Sequence, residues 1–313
     1  MDQALLNLLC CPRDQGYPLA ETAGSLECPT CKTLYPVVDG IVVFLTAQQL
    51  SDQEEKERNF RSQESEWYDD MYVGYTDLVE VPTVVKRLGR PSGPILDAGC
   101  GTGRITEALV PLGQPIVAID YSEACLRRMQ ARTAGARVLA VQSDLRHLPL
   151  RSEVMSAAIS IEVHPHLRDG DRDRYLSELA RVLVAGGPLS ISTLNYNLVF
   201  RAWQALGNDG AREGEHVLGN DYHYRRFDRS EFARELSAHF EVEELTGIRN
   251  IPARSLAGAV HKVGWRQGGD KLLGLLNQRG YKVDHFLERT AVAGMVGFFW
   301  LAKAAKRPSV SSS

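Results

Sequence analysis

Ile95-Leu96-Asp97-Ala98-Gly99-Cys100-Gly101-Thr102-Gly103-Arg104 runs from a short apolar stretch into three glycines at alternate positions. The pattern reads as a buried strand turning sharply into a helix, predicted from about Thr102 to Val110. Glycine at such a turn frees the backbone and lets a ligand approach with no Cβ in the way. A dinucleotide fingerprint, G-x-G-x-x-G, would need its third glycine at position 104. Arg104 stands there, and Gly103 comes one place early, so a nicotinamide-dependent dehydrogenase is disfavoured. The order here is D-x-G-x-G-x-G, with Asp97 closing the strand.

Outward from that loop, strand and helix patterns alternate. Ile116–Asp120 is a buried strand ending in an acid, followed by Tyr121 and Ser122. Asp120 lies roughly twenty residues past the glycines, where a carboxylate can accept from both hydroxyls of a ribose. Tyr121 beside it can cover an adenine face. Val138–Gln142 leads to Asp144-Leu145, and Ala157–Ile161 leads to Glu162-Val163-His164-Pro165-His166. A helix over Arg172–Val184 stops at Gly186-Gly187, and Leu189–Ser192 makes a fifth strand. Phe240–Thr246 and Val292–Ala302 are the sixth and last strands, with a helix over Ser230–Ala238. Asn195–Trp203 and Gly207–Gly219 read as an irregular polar-aromatic connection. Residues 247–290 are too long for a plain loop and predict helices of their own, Leu272–Leu276 marking one.

Taken in order, these are strand–GxGxG–helix, strand–Asp, strand–Asp and strand–Glu/His. Leu176-Ser177-Glu178-Leu179-Ala180-Arg181-Val182-Leu183-Val184-Ala185-Gly186-Gly187-Pro188 then follows. The series resembles the class I S-adenosylmethionine-dependent methyltransferases over about residues 91–305. The resemblance implies an α/β fold, a Rossmann-like, seven-stranded, mostly parallel sheet with helices on both faces. It implies S-adenosylmethionine as cofactor, bound by Asp97, Gly99, Cys100, Gly101, Gly103, Asp120, Tyr121, Asp144, Leu145 and Glu162. Asp97 would act near the methionine end, and Asp144 by the adenine amino group. Acids suit a cationic, hydroxyl-rich cofactor better than a dinucleotide pyrophosphate. Family members that methylate exocyclic amines of bases often carry Asn/Asp-Pro-Pro-Tyr after the fourth strand; Ile161-Glu162-Val163-His164-Pro165 does not match. A small-molecule acceptor with an O, N or C nucleophile is expected, with tRNA or peptide as the alternative. A non-catalytic scaffold of the same fold is the reading from another class. His164 and His166, at the carboxyl edge of the sheet, and His223, in the variable connection beside Tyr222, are candidate general bases.

Residues 1–46 form a separate unit in the sequence. Cys28 and Cys31 at C-x-x-C spacing make half of a tetrahedral zinc site. Cys11 opens the other half, but Asp14 occupies the place three after it. With Tyr35-Pro36 and Asp39-Gly40-Ile41, this stretch resembles the small zinc-ribbon family that activates tRNA and protein methyltransferases. The metal set is Cys11, Cys28, Cys31 and either Asp14 or Cys10, unless the ribbon folds on hydrophobic contacts alone. So small a segment needs a metal or a docking partner for support.

Residues 47–90 read as a helical linker and cofactor-capping segment, with Trp67, Tyr68, Tyr72 and Tyr75 gathered there and a helix over Val79–Leu88. Residues 306–313 read as a disordered tail. The 313 residues suffice for this α/β domain and its accessory module. A formal charge of −3 argues against a general nucleic-acid binder. No apolar run reaches the length of a membrane span, so no membrane partner is expected. Ala4–Cys11 follows Asp2 rather than a basic region, so a signal core is not expected and cytoplasmic thiols are. Oligomeric state leaves no trace in the sequence.

Overall fold

The computed structural model describes residues 2–45, 52–65, 75–206, 212–217, 220–250, 271, 275 and 279–308. Trp67, Tyr68, Tyr72, most of Leu272–Leu276 and residues 309–313 lie outside them, as does the side chain of Tyr75. Helix α1 (Gln3–Leu6) leads to four short strands, β1 (Ala20–Thr22), β2 (Ser25–Glu27), β3 (Leu34–Val38) and β4 (Ile41–Val43). Helices α2 (Asp52–Glu64) and α3 (Tyr75–Leu88) precede β5 (Ile95–Ala98) and α4 (Arg104–Leu109). Then come β6 (Ile116–Asp120), α5 (Glu123–Arg132), β7 (Val138–Gln142), β8 (Ala157–Ser160), α6 (Asp171–Val182) and β9 (Pro188–Asn195). The last third holds α7 (Leu198–Ala205), the hairpin β10 (Glu213–Val217) and β11 (Asn220–Phe227), and α8 (Arg229–Ser237). It ends with β12 (Phe240–Ile248), α9 (Tyr281–Leu287), α10 (Ala291–Val296) and β13 (Phe299–Lys306).

Seven strands lie in the order β7-β6-β5-β8-β9-β13-β12. The first five are mutually parallel, and β13 runs antiparallel to both β9 and β12. The chain leaves the centre from β5 outward, then returns to β8 on the other side. The switch therefore falls between β5 and β8, where open α/β sheets bind ligands at their carboxyl ends. Alternate residues feed opposite faces. Leu96 and Ala98 pack with Tyr175, Leu179 and Phe232, while Ile95 packs with Val84, Leu88, Ile105 and Leu109. The predicted Rossmann-like sheet with helices on both faces is what the chain builds.

The ribbon does not stand apart. Strand β4 pairs in parallel with β7, so the ribbon's strands extend the main sheet. Leu9, Leu26, Tyr35 and Phe44 join the core that holds Val141 and Leu148. The docking partner that so small a segment needs is the neighbouring domain.

Two stretches differ from the sequence reading. Val292–Ala302, expected as a strand, divides into α10 and β13. The last carbonyls of a helix lack partners within it. Here the buried Asn195 and Asn197 donate to them, Nδ2 to Gly297 O at 2.8 and 3.0 Å, which makes a helix end tenable. The connection read as irregular holds α7 and the β10–β11 hairpin. Asn197 caps α7 by accepting from Phe200 N at 3.0 Å. Among the described residues, no helix is long and apolar enough to cross a membrane.

Arg104 has a structural task. Its guanidinium pairs with Asp77 at 2.9 Å and with the fully buried Glu80, tying α4 to α3. Removing one partner of a buried pair leaves an uncompensated charge, at a cost of about 3–5 kcal/mol. Arg104→Ala is therefore expected to lower the unfolding free energy from denaturant titration by that amount, whereas Arg104→Ala with Glu80→Leu should recover most of it. Equal midpoints for wild type and Arg104→Ala would show that the pair contributes nothing.

Candidate functional site

The turn after β5 is fastened to β6 from two directions. Gly99 N and Cys100 N donate to Ile119 O at 2.8 and 3.0 Å, and Gly101 N donates to Asp120 Oδ2 at 2.8 Å. Asp120 Oδ1 accepts from Ser122 N at 2.8 Å. Its carboxylate thus bridges the loop and the strand end, and carboxylate oxygens accept more than one hydrogen bond each. The three glycines have different jobs. A Cβ on Gly99 would stand 2.1 Å from Val163 Cγ2, and one on Gly103 would stand 2.8 Å from the Met129 Cα. Those two exist for close packing. Among the described residues, a Cβ on Gly101, at φ +52°, would meet nothing within 4 Å, so on their side the space above the loop is open.

Asp97 lies beneath the loop, buried, accepting from Thr106 Oγ1 at 2.6 Å. Burial pushes its carboxyl up to about 7, against the Thr106 hydroxyl and with the Asp120 charge. Cys100 is buried too, and burial raises its thiol. Tyr121 follows β6, and its carbonyl accepts from Gln142 Nε2 at 3.0 Å. Helix α2 comes over this edge, Ser62 Oγ lying 3.0 Å from Ser122 Oγ. Asp144 is clasped by Arg146 through bonds of 2.7–3.0 Å, which places an arginine at the predicted adenine end. Leu145 packs beside Gly99. Glu162 has φ +61°, and its carboxylate pairs with Arg249 at 3.2 Å; Arg249 has φ +57°. Two non-glycine residues in the left-handed region, joined as an ion pair, mark a strained spot at the carboxyl edge. Sequence reasoning missed Ser62 and Arg249, because nothing local announces a partner so far along the chain, and it missed Thr106, nine residues past Asp97, because the motif does not say which way the first turn of the helix faces.

The histidines separate. His164 is fully buried, its Nδ1 3.0 Å from Thr193 Oγ1 and its Nε2 2.9 Å from Glu235 Oε2. Burial lowers its pKa, and Glu235 opposes that. Both ring nitrogens are occupied in the core, so its geometry is that of a structural residue rather than the expected base. His166 is partly exposed, and its Nδ1 lies 2.9 Å from the His223 carbonyl oxygen. His223 is buried, with Nε2 3.7 Å from Glu213 Oε1. The backbone thus brings His166 and His223 together, though 57 residues separate them.

In the ribbon, the ligand atoms of Cys11, Asp14, Cys28 and Cys31 all lie within 4.8 Å of one another. Cys11 Sγ and Cys31 Sγ are 3.7 Å apart, and Cys28 Sγ is 3.4 Å from Asp14 Oδ1. A tetrahedral zinc with bonds of about 2.3 Å to sulfur and 2.0 Å to oxygen implies separations of about 3.8 and 3.5 Å. The donor set fits the ion. Outer contacts orient it: Tyr35 OH is 3.0 Å from Cys11 Sγ, and Thr30 N and Cys31 N donate to Cys28 Sγ. Gly16 N donates to Asp14 Oδ1 at 2.8 Å and, with Cys11, holds that carboxyl down at about 2. Cys10 turns away, its thiol 3.4 Å from Gln15 Oε1. Of the two candidates for the fourth ligand, Asp14 is the one in place.

Comparison with known proteins agrees with both parts. Residues 95–187 match the family described as methyltransferase domain, and residues 2–40 the family described as Trm112p-like protein. A Mycolicibacterium smegmatis protein assigned as an S-adenosylmethionine-dependent methyltransferase is 30% identical over 155 residues, 49% of this chain and 54% of that one. The uncharacterised Bacillus subtilis methyltransferase YodH is 38% identical over 101 residues, 32% of this chain and 42% of that one. The chain thus spans about half the length, or less, of these curated relatives. Among solved structures, one comes from the complex between the Haloferax volcanii Trm112 methyltransferase activator and its candidate methyltransferase. It has a TM-score of 0.53 at 17% identity, covering 83% of this chain and 99% of that one. A Thermotoga maritima S-adenosylmethionine-dependent methyltransferase gives 0.50 at 18%, covering 82% and 100%. At those identities the likeness is one of fold.

Proposed function

We propose that this chain, a methyltransferase domain carrying a Trm112p-like ribbon, moves a methyl group from S-adenosylmethionine to an O, N or C nucleophile of a small-molecule acceptor. The observation that carries this reading is the open space over Gly101, on a loop pinned by Asp120 at the switch between β5 and β8. S-adenosylmethionine supplies a sulfonium-activated methyl group. The chain has to bind it, exclude water and hold the acceptor in line, for which positioning is the main lever. Asp120 would accept from the ribose hydroxyls, Tyr121 would cover the adenine, and Gly101 would allow close backbone approach. Asp97, Gly99, Cys100 and Gly103 would shape the loop from below. Asp144, Leu145 and Glu162 would close the far side, with α2 as the cap. Cys11, Asp14, Cys28 and Cys31 would hold structural zinc.

Asp120→Ala should weaken binding of the product S-adenosylhomocysteine by about 1.5–3 kcal/mol in calorimetry, as loss of a charge-assisted contact requires. Gly101→Ala should weaken it as well while leaving the fold intact, since alanine in a left-handed turn costs only about 1–2 kcal/mol. Gly103→Ala should lower stability instead, because its Cβ would meet the Met129 backbone. Unchanged affinity in both Asp120→Ala and Gly101→Ala would remove the cofactor from this loop.

The ribbon favours a second reading, a tRNA or peptide acceptor, because it matches the Trm112p-like family. Labelled S-adenosylmethionine incubated with size-fractionated cell extract separates the two. Label in the small-molecule fraction supports the first, label in RNA or protein supports the second, and no label in any fraction supports a scaffold.

A further inference from the structure

Helix α9 is inside out. Its acid, Asp284, is fully buried and accepts from Asn250 N and Nδ2, both at 2.7 Å. Its apolar residues Val283 and Phe286 face solvent, Phe286 with 69% of its surface exposed. A helix packed for the core would do the reverse. The neighbours repeat the pattern. Helix α10, which packs against α9 and α7, exposes Val292 and Met295, and the α7 stretch exposes Leu198 and Leu206. Among the described residues, eight of the twelve exposed large apolar side chains fall within residues 198–206 and 275–295. Polar ties hold these helices from the inner side: Asn195 and Asn197 grip the end of α10, and Thr246 Oγ1 donates to Glu288 O at 2.9 Å. The exposed face is therefore fixed in place.

Among the described residues its charge is one-sided. Arg279 and Arg289, which bracket α9, and Lys271 before it are exposed, while Asp284 is buried and the Glu288 side chain, 13% exposed, faces Thr83 and His285. The chain as a whole carries −3, so the basic rim is local. Apolar side chains, aliphatic apart from Phe286, accompanied by lysine and arginine are the pattern of a surface that lies in the headgroup region of an anionic bilayer. A second copy meeting this face about a two-fold axis would set basic rim against basic rim. RNA would want several stacking rings, and among the described exposed apolar residues of this face Phe286 is the one aromatic beside valine, leucine and methionine.

We propose that the α7–α9–α10 face is a peripheral docking surface for anionic lipid membranes. It departs from the sequence expectation of no membrane partner, and it stands apart from the proposed methyl transfer. The test is co-sedimentation of the full chain with vesicles of phosphatidylcholine alone or mixed with phosphatidylglycerol, at low and high salt. The chain should partition onto the phosphatidylglycerol vesicles at low salt and much less in the other conditions. Phe286→Asp should weaken partition about tenfold or more, and Lys271→Glu or Arg289→Glu about fivefold each. Thermal midpoint and S-adenosylhomocysteine affinity should stay unchanged in all three; Val292→Asp serves as a second apolar variant. Absence of partition by the wild-type chain overturns the proposal, and so does equal partition by Phe286→Asp and Val292→Asp. A dimer in sedimentation velocity that Phe286→Asp dissociates, or retention on RNA but not on vesicles, assigns the face to another occupant and also overturns it.

Discussion

Purified protein should carry about one equivalent of zinc, and Cys28→Ser should lose both the metal and a large part of the stability. Zinc-finger peptides gain about 10–16 kcal/mol from their ion, which sets the upper limit here. The ribbon also rests on Leu9, Leu26, Tyr35 and Phe44, so the loss should be several kcal/mol rather than the whole. At about 2–4 °C per kcal/mol for a domain of this size, the thermal midpoint should fall by at least about 10 °C. The loss should not stop at the ribbon. Strand β4 pairs with β7, and Phe44 N donates to Gln142 O at 2.9 Å, so a loosened ribbon uncovers the edge of the main sheet. Cys10→Ser is the control. Its thiol faces Gln15, so zinc should stay and the cost should be about 1–2 kcal/mol for a buried hydroxyl. Asp14→Cys should keep the ion, and Asp14→Ala should release it. A metal-free protein, folded and indifferent to Cys28→Ser, would leave the ribbon standing on apolar contacts alone.

What the chain discloses before folding follows a rule. Features set by neighbours in sequence were legible: the strand–glycine–helix turn, the acid closing β6, and the Cys28–Cys31 knuckle. Asp14 was one of two candidates for a fourth ligand, offered by its spacing to Cys11, and the fold brings its carboxylate within 4.8 Å of the three thiols. Features set by distant partners were not. Arg104 was informative only as a broken dinucleotide motif; that it grips Glu80 depends on how α3 crosses α4. Ala291–Val296 carries valine and methionine in a run that reads as strand, yet two asparagines a hundred positions earlier receive it as a helix. Gly99, Gly101 and Gly103 look equivalent in a motif, and only the Cβ environment separates the two that pack closely from the one that, among the described residues, stands open. Burial likewise divides the histidines, and no pattern around His164 announces that Phe227 and Phe232 enclose its ring.

That division yields the sharpest expectation about chemistry. His166 is the candidate base that is at once partly exposed, at the carboxyl edge, and fixed in one tautomer. Its Nδ1 faces the His223 carbonyl, an acceptor, so Nδ1 carries the proton and the neutral ring keeps its lone pair on Nε2. Once an acceptor is in hand, His166→Ala should reduce turnover at saturating cofactor about 10²–10⁴-fold, with S-adenosylhomocysteine affinity intact. His166→Gln restores a donor to the His223 carbonyl without restoring a base. Recovery of turnover in His166→Gln would reduce His166 to a tether for β11. His164→Ala should behave differently: it leaves Glu235 and Arg172 facing a cavity, so stability should fall by about 3–5 kcal/mol. Its turnover per folded molecule should change far less than that of His166→Ala. His223→Ala leaves the carbonyl that holds His166 in place, so its effect should be smaller than that of either. If all three variants turn over at near-normal rates, no histidine takes the proton, and the proposed transfer would rest on holding cofactor and acceptor in line.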